Sequence, residues 1–558
     1  MNIVRGKRLR NALERQWVEV PKPTGGRFES HAGFIVGKVG GQWVVYDDVC
    51  DHNGGRLALS SNGVSALCPM HHWRLNLTLG KYDNGCVKTR LEFIEHPEAL
   101  SVERVVERFA EVEREGLTVA PITFRFNAHA SVSVTIDDLS LITDPWLDGS
   151  CFATGWWHLH PPDTTAIQRL VDSNIVYVSH NHPDHLHFDT LEKHVPKDKL
   201  FLVPRFESGS VERLLRERGF QNIVVADFLE EITFESRSGA RVKAVIVKAG
   251  DGRDDSSLFL FTQRHSVLFA VDTNMPNKWV LCEVDVLFTP FAGGASGFPS
   301  RIDHFSDAEK VRIADTNRSL ILTTHVTRLI RTTKPRVVVP YAGYFTESQR
   351  DADVTRVNRK NTRQDALAFI ERRFPSVVGI DPIENGEFTV DGAEVKIGAP
   401  AARSAPNIDA ADAAEEIRRF SADAPELTLD RLDRLGQAFM NADFVEALTV
   451  AIVPCAADFT PLDACLVIDF SKGGRQHRLI EGPVGAPPEI VAALRETTEN
   501  NIEVLLVRSD SLRGLIHKGL PLEDLSIGFQ VRMYRDPNVY NFRFWNHFTN
   551  VHNVRLPA

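Results

Sequence analysis

Two short stretches of this chain concentrate the residue types that bind metals. In the first, Cys50-Asp51-His52 is followed sixteen residues after the histidine by Cys68-Pro69-Met70-His71. Two thiolates and two neutral imidazoles on a pair of loops can hold two irons unequally, sulfur on one and nitrogen on the other. The tight Cys-x-His spacing lets both side chains of the first loop reach the cluster, one per iron. Gly54, Gly55 and Gly63 supply the turns such loops need, and Asn53 and Trp73 stand where they can donate to or shield the sulfurs. A structural zinc site is the rival use of two Cys and two His, but Cys-x-His is too tight for an ordinary zinc finger. In the second stretch, the apolar run Ile175 to Val178 leads into Ser179-His180-Asn181-His182-Pro183-Asp184-His185. Four ligand-type side chains after one strand can present His180 and His182 to one metal and Asp184 and His185 to another.

The first pair of loops resembles the Rieske family, and the continuation His72-Trp73-Arg74-Leu75 is similar to that of Rieske ferredoxins. The resemblance implies a [2Fe-2S] cluster on Cys50, His52, Cys68 and His71, with His72 outside the ligand set. The second string resembles the signature of the metallo-β-lactamase fold. That resemblance implies a bridging aspartate after a later strand, and Asp272 follows Val267 to Val271. It also implies a third ligand to the first metal from the segment 250–256, which has no histidine. Asp251 is the choice there, with Asp254 and Asp255 as rivals. A last histidine is missing after Val337-Val338-Val339-Pro340, which leaves the second metal weakly held, open or absent. The expected ligands are therefore His180, His182, Asp184, His185, Asp251 and Asp272, with Asp184, His185 and Asp272 serving the chemistry. Carboxylate in place of imidazole shifts a site toward harder, redox-active iron or manganese. His129 is as readily structural as functional. His160, His187, His265, His304 and His325 default to structural places.

The elements that must position these residues change character along the chain. Short alternating strands punctuated by glycine fill 30–95, the pattern of a small all-β domain. From about 118 strands alternate with amphipathic segments such as Val211 to Arg218, the pattern of a layered α/β domain. A stretch rich in Ala, Asp, Ser and Pro reads as a linker. The expected organisation is multidomain: an all-β Rieske domain over 1–105, an α/β metallo-β-lactamase-like αββα sandwich over 118–400, a linker over 401–413, and an α+β C-terminal domain over 414–558. Ser511 to Leu515 and Asp524 to Phe529 faintly resemble sterol-carrier-like domains.

Over roughly residues 40–350 the chain resembles the CMP-N-acetylneuraminate hydroxylases. The resemblance extends beyond ligands to Asp144-Pro145-Trp146-Leu147, Gly155-Trp156-Trp157, the run Phe291 to Pro299, and Ala342-Gly343-Tyr344-Phe345. It implies a non-haem iron monooxygenase, with one or two irons, that takes electrons through the Rieske cluster and uses O2 to hydroxylate an unactivated C–H bond. The small-molecule substrate is a CMP-sialic-acid-like sugar nucleotide or, given the altered 250–256 segment, a bacterial secondary metabolite such as a bulky apolar acid or its carrier thioester. No Gly-x-Gly-x-x-Gly follows a strand, so NAD(P)H would act through a separate reductase or ferredoxin. The alternative is a metallo-β-lactamase-fold hydrolase with a regulatory Rieske module.

Composition sets the outer bounds. The chain has 558 residues, 43% hydrophobic and 25% charged, which is ordinary for several globular domains. A net charge of −10 argues against nucleic acid as a partner. The first hundred residues hold 13 Lys and Arg against 10 Asp and Glu, a slightly basic face that could steer an acidic redox partner. No membrane-length apolar run or signal segment is evident, so a cytoplasmic protein without membrane contact is expected. Self-association is left open. Cys86, Cys151, Cys282, Cys455 and Cys465 are expected as buried thiols.

Overall fold

The computed structural model describes all residues except 53, 399, 401, 404–409 and 558. Asn53 and most of the expected linker therefore lie outside the described residues.

The metal loops of the first site sit on three small antiparallel sheets. Phe34–Val39 and Gln42–Asp47 pair beside Glu29–His31, and a four-stranded sheet runs from Ala58–Leu59 to Lys81–Tyr82. The third sheet joins Ala12–Pro21, Ala99–Arg108 and Phe93–Glu95, which carries the Rieske part past residue 105. A compact core of Ile35, Tyr46, Leu57, Leu75, Leu77 and Tyr82 backs both loops.

The next part is a sandwich of two eight-stranded sheets. One is ordered Ile223–Ala226, Leu200–Pro204, Ile175–Tyr177, Leu139–Thr143, Ser131–Ile136, Ile122–Ala128, Glu387–Asp391, Glu394–Ile397. The other runs from Glu230–Glu235 through Arg241–Lys248, Ser256–Phe261, Ser266–Phe269, Val286–Thr289 and Val337–Pro340 to Val378–Gly379. Its outer strand is Asn2–Arg8, antiparallel to Glu230–Glu235. The expectation of one continuous Rieske unit over 1–105 is thus corrected at its start: the opening strand completes a sheet of the sandwich. Runs such as Val286–Thr289 and Val337–Pro340 are buried throughout because both faces are covered. The inner faces meet in a core containing Phe124, Val134, Tyr177, Leu258, Phe288 and Val338. Helices Phe188–His194 and Ser210–Glu217 cover one sheet, and Thr327–Thr333 and Arg363–Arg373 cover the other.

The C-terminal part has a five-stranded sheet ordered Gln476–Glu481, Ala464–Asp469, Leu448–Cys455, Asn501–Arg508, Val531–Asp536. It is not a separate appendage. Its core takes in Ala153 and Ile302 from the sandwich, and Met533 bridges Ile302. Asp351 lies between Arg301 at 2.6 Å and Arg508 at 2.5 Å, an ion cluster buried on the same boundary. Among the described residues no helix is long and apolar enough to cross a membrane. Cys151, Cys455 and Cys465 are buried as expected, whereas Cys86 and Cys282 are only partly so.

Candidate metal centres

The backbone of the first pair of loops folds each on itself. Gly54 N–H donates to Cys50 O at 2.9 Å and His72 N–H to Cys68 O at 3.0 Å. Buried Lys88 clamps the first loop through Asp47 Oδ1 at 3.0 Å and Val49 O at 2.8 Å. These bonds bring Cys50, His52, Cys68 and His71 together. A hydrogen bond with Cys50 lowers the Cys68 thiol to about 7, and the His52 and His71 rings stand 4.6 Å apart. Burial drives His52 well below its ordinary range and His71 down to about 4, so both rings are neutral, the form that ligates metal. The residues fit a Rieske cluster on two structural grounds. Both Nδ1 atoms are buried without a hydrogen-bond partner. Gly55 also lines the cradle so closely that a Cβ there would lie 2.8 Å from Cys68 Sγ. Trp73 stacks on His52 at 4.5 Å and 3°, shielding the outer face.

The second centre grows from the end of Ile175–Tyr177. Asp144, just past the neighbouring parallel strand, accepts from Ser179 N–H at 2.8 Å and Oγ at 2.9 Å, which fixes the start of the histidine string. Three overlapping groups of side chains could each hold an ion: His180, His182 and Asp255; His180, His185 and Asp272; and His129, Asp184 and His185. His180 Nε2 and His182 Nδ1 face each other at 2.9 Å, with Asp255 Oδ1 3.7 Å from His180 Nε2. His185 sets Nδ1 against Asp144 Oδ2 at 3.1 Å and Nε2 toward Asp184 and Asp272 at 3.2 and 3.5 Å. Asp184 Oδ1, His185 Nε2 and Asp272 Oδ1 are buried without hydrogen-bond partners, as donors that expect an ion would be. The residues therefore fit a metal, in a carboxylate-rich set. His185, with His129, holds the Asp184 carboxyl well below its usual range against the opposing effect of burial.

One expected ligand is displaced. Asp251 turns away to accept from Arg253 Nε at 2.8 Å and Asn274 Nδ2 at 3.0 Å, while Asp255 takes the place beside His180 and His182. The reason is local: Asp255 immediately precedes the strand Ser256–Phe261, so the sheet aims it, whereas Asp251 belongs to the turn before it. Asp254 faces Ser208 Oγ at 2.5 Å. Arg253 also reaches Asp255 at 2.9 Å and so braces it. His129 joins the centre, donating to Asp184 Oδ2 at 3.0 Å. Among the remaining histidines, His187 caps the helix Phe188–His194 and His160 pairs with Arg363. His325 is the one with a place near the centres. The π-helix Ile321–Val326 places it on the wall of the central cavity.

That cavity, about 570 Å³, joins the two centres. His52, His71 and His72 line one end, His129, His182, Asp184, Asp255 and Asp272 the other, and Glu523, Met533 and Tyr540 of the C-terminal part close a side. Trp156, stacked on Phe345 at 3.6 Å, forms part of an aromatic wall. Glu523 and Tyr540 carried no signal in the sequence, because nothing near them has a ligand's spacing.

Comparison with known proteins agrees with this architecture. Residues 14–92 match the Rieske [2Fe-2S] domain, and residues 123–342 match the β-lactamase superfamily domain. The chain is 26% identical over 551 residues to the cytidine monophosphate-N-acetylneuraminic acid hydroxylase of Pan troglodytes, covering 91% of this chain and 87% of that protein. It is 28% identical over 448 residues to the enzyme of the same name from Sus scrofa, covering 77% and 97% respectively. The solved structure of CmlA, a diiron β-hydroxylase from Streptomyces venezuelae, overlaps 50% of this chain and 55% of its own, at 18% identity and a TM-score of 0.33. Fold and sites together define a Rieske protein fused to a metallo-β-lactamase-like domain. Over nine-tenths of its length the chain is similar to the cytidine monophosphate-N-acetylneuraminic acid hydroxylases, a similarity that supports an oxidoreductase of the hydroxylase class.

Proposed function

We propose that the protein is a monooxygenase that uses O2 and electrons from its Rieske cluster to hydroxylate a C–H bond of a small molecule held in the central cavity. The carrying observation is that the cluster histidines and the carboxylate-rich second centre line the same cavity. A hydrolase would gain nothing from that adjacency, whereas an oxygenase needs electrons beside its reacting site.

Cys50 and Cys68 would hold one iron of the cluster, and His52 and His71 the other, the one nearer the cavity. His180, His182 and Asp255 would hold a metal on one side of the second centre. Asp184, His185, Asp272 and His129 would form the other side. The hard oxygen donors favour iron there. Iron, when bound, supplies the one-electron and O2 chemistry that side chains lack. The protein's own contribution is placement. Arg253 holds Asp255, Asp144 fixes the tautomer and direction of His185, and Trp156, Phe152 and Phe345 keep water from the reacting bond. The cavity has the volume for a sugar nucleotide or a comparable acid. Electrons would come from NAD(P)H through an external reductase or ferredoxin. Turnover under ¹⁸O2 should place one labelled atom in the product hydroxyl. Label taken only from water, or turnover without oxygen, would show a hydrolase instead.

A further inference from the structure

Two side chains of the C-terminal part stand between the centres. His182 faces His180 Nε2 through Nδ1, which leaves its Nε2 for another partner. That partner is Glu523, whose Oε2 lies 3.7 Å away. A metal-bound imidazole commonly directs its second nitrogen to a carboxylate, which fixes the ring. Tyr540 donates its hydroxyl to Glu523 Oε1 at 3.4 Å, and its ring centre is 6.3 Å from that of His52. The sequence His52, Tyr540, Glu523, His182 thus connects a cluster ligand to a ligand of the second centre, and its two middle members come from a part of the chain that holds neither metal site.

The placement is tightly built. Glu523 opens the short helix Glu523–Ile527, and Trp156 Nε1 donates to Ile527 O at 3.0 Å. At the end of that helix Gly528 packs against Phe152 and Gly155 with no room for a side chain on either glycine. Arg253, another charged group nearby, spends its bonds on Asp251 and Asp255 and, among the described residues, bonds none of the cluster loops.

We propose that Tyr540 and Glu523 are positioning residues that form the electron bridge between the Rieske cluster and the second centre. This rests on the function proposed above. One electron leaves the reduced cluster, which returns to its diferric state, and one ferric ion of the second centre becomes ferrous. No bond is made or broken, and the proton on His182 Nε2 stays there, facing the Glu523 carboxylate. Electron tunnelling falls off more slowly through bonded and contacting groups than across open space, so this chain of contacts is favoured over the cavity beside it.

The test uses the full chain with iron in both centres, kept anaerobic and without substrate. The cluster is reduced against a ferric second centre, and its reoxidation is followed by visible absorption in a stopped-flow instrument. Tyr540→Phe, Tyr540→Leu and Glu523→Gln should each slow reoxidation at least fivefold, with iron content and the cluster's paramagnetic spectrum unchanged. A smaller effect in all three overturns the bridge. Loss of second-centre iron from Glu523→Gln also overturns it, by making Glu523 a metal-holding group. If the unaltered protein shows no transfer, the bridge and the proposed function fall together. Rapid bridge-dependent transfer with oxygen incorporated only from water removes the monooxygenase and leaves the bridge standing.

Discussion

Gly155 and Gly528 meet backbone to backbone: a Cβ on Gly155 would lie 2.0 Å from Gly528 O. One glycine follows the aromatic turn of the sandwich and the other ends the helix that carries Glu523. Their contact sets how closely the C-terminal part approaches the second centre.

Gly155→Ala should therefore force the two parts apart. Overfilling a packed contact costs about 1–3 kcal/mol, and a backbone collision at this distance belongs at or beyond the top of that range. The melting temperature should fall, and limited proteolysis should cut faster in the C-terminal part. An unchanged melting temperature would mean the contact is looser than described.

Removing Asp351 should also weaken this boundary. Asp351→Ala would leave Arg508 buried without a carboxylate partner and Arg301 with only the half-exposed Asp353, a change that costs about 3–5 kcal/mol. Thermal or denaturant unfolding measures it.

The two aspartates of the 250–256 segment should separate in their effects. Asp255→Ala should strip metal from the second centre, while Asp251→Ala should weaken binding by only about 10–100-fold, as expected for a residue acting through Arg253. Metal analysis after gel filtration distinguishes them. Equal loss in both would restore Asp251 to the ligand set.

Cys68→Ser should abolish the Rieske paramagnetic signal and leave second-centre metal in place. Retention of that signal would refute the cluster assignment.

Acid should destabilise the metal-free protein partly through His325. Burial holds this imidazole at about 4, with Asp272 pulling it up and Arg253 and Arg328 pushing it down. Unfolded, it titrates near 6.5. Between those values the unfolded chain binds the extra proton, so the stabilisation is complete above about 6.5 and is lost as pH falls toward 4. His325→Gln should flatten the fall of melting temperature across this window. An unchanged slope would show that other groups carry it.

Much of the site was legible because its residues cluster in sequence. Cys50, His52, Cys68 and His71 lie on two neighbouring loops, and His180 to His185 follow one strand, so spacing alone brought them to attention. Asp272 could be found because it follows the apolar run Val267 to Val271. What escaped notice depends on distant pieces meeting. Asp255 rather than Asp251 reaches the histidines because of where Ser256–Phe261 enters the sheet, a boundary that pattern reading locates only to within a few residues. Glu523 and Tyr540, more than three hundred residues from the histidine string, arrive through the docking of the C-terminal part, as Trp156 to Ile527, 371 positions apart, illustrates. A pass along the chain does not detect such pairs.

The strand Asn2–Arg8 has a consequence for how the protein is made. Arg5 must wait for Glu230, 225 positions later, before its edge of the sandwich exists. At the usual pace of synthesis, about 5–20 residues per second, that is a delay on the order of ten seconds or more. During that interval the Rieske sheets are already complete in the nascent chain and can close on themselves. The opening strand then returns past a folded domain to reach its place. A ribosome paused inside the sandwich would expose a strand without an edge to join, so slow translation of residues 120–235 is where this fold is most open to mispairing.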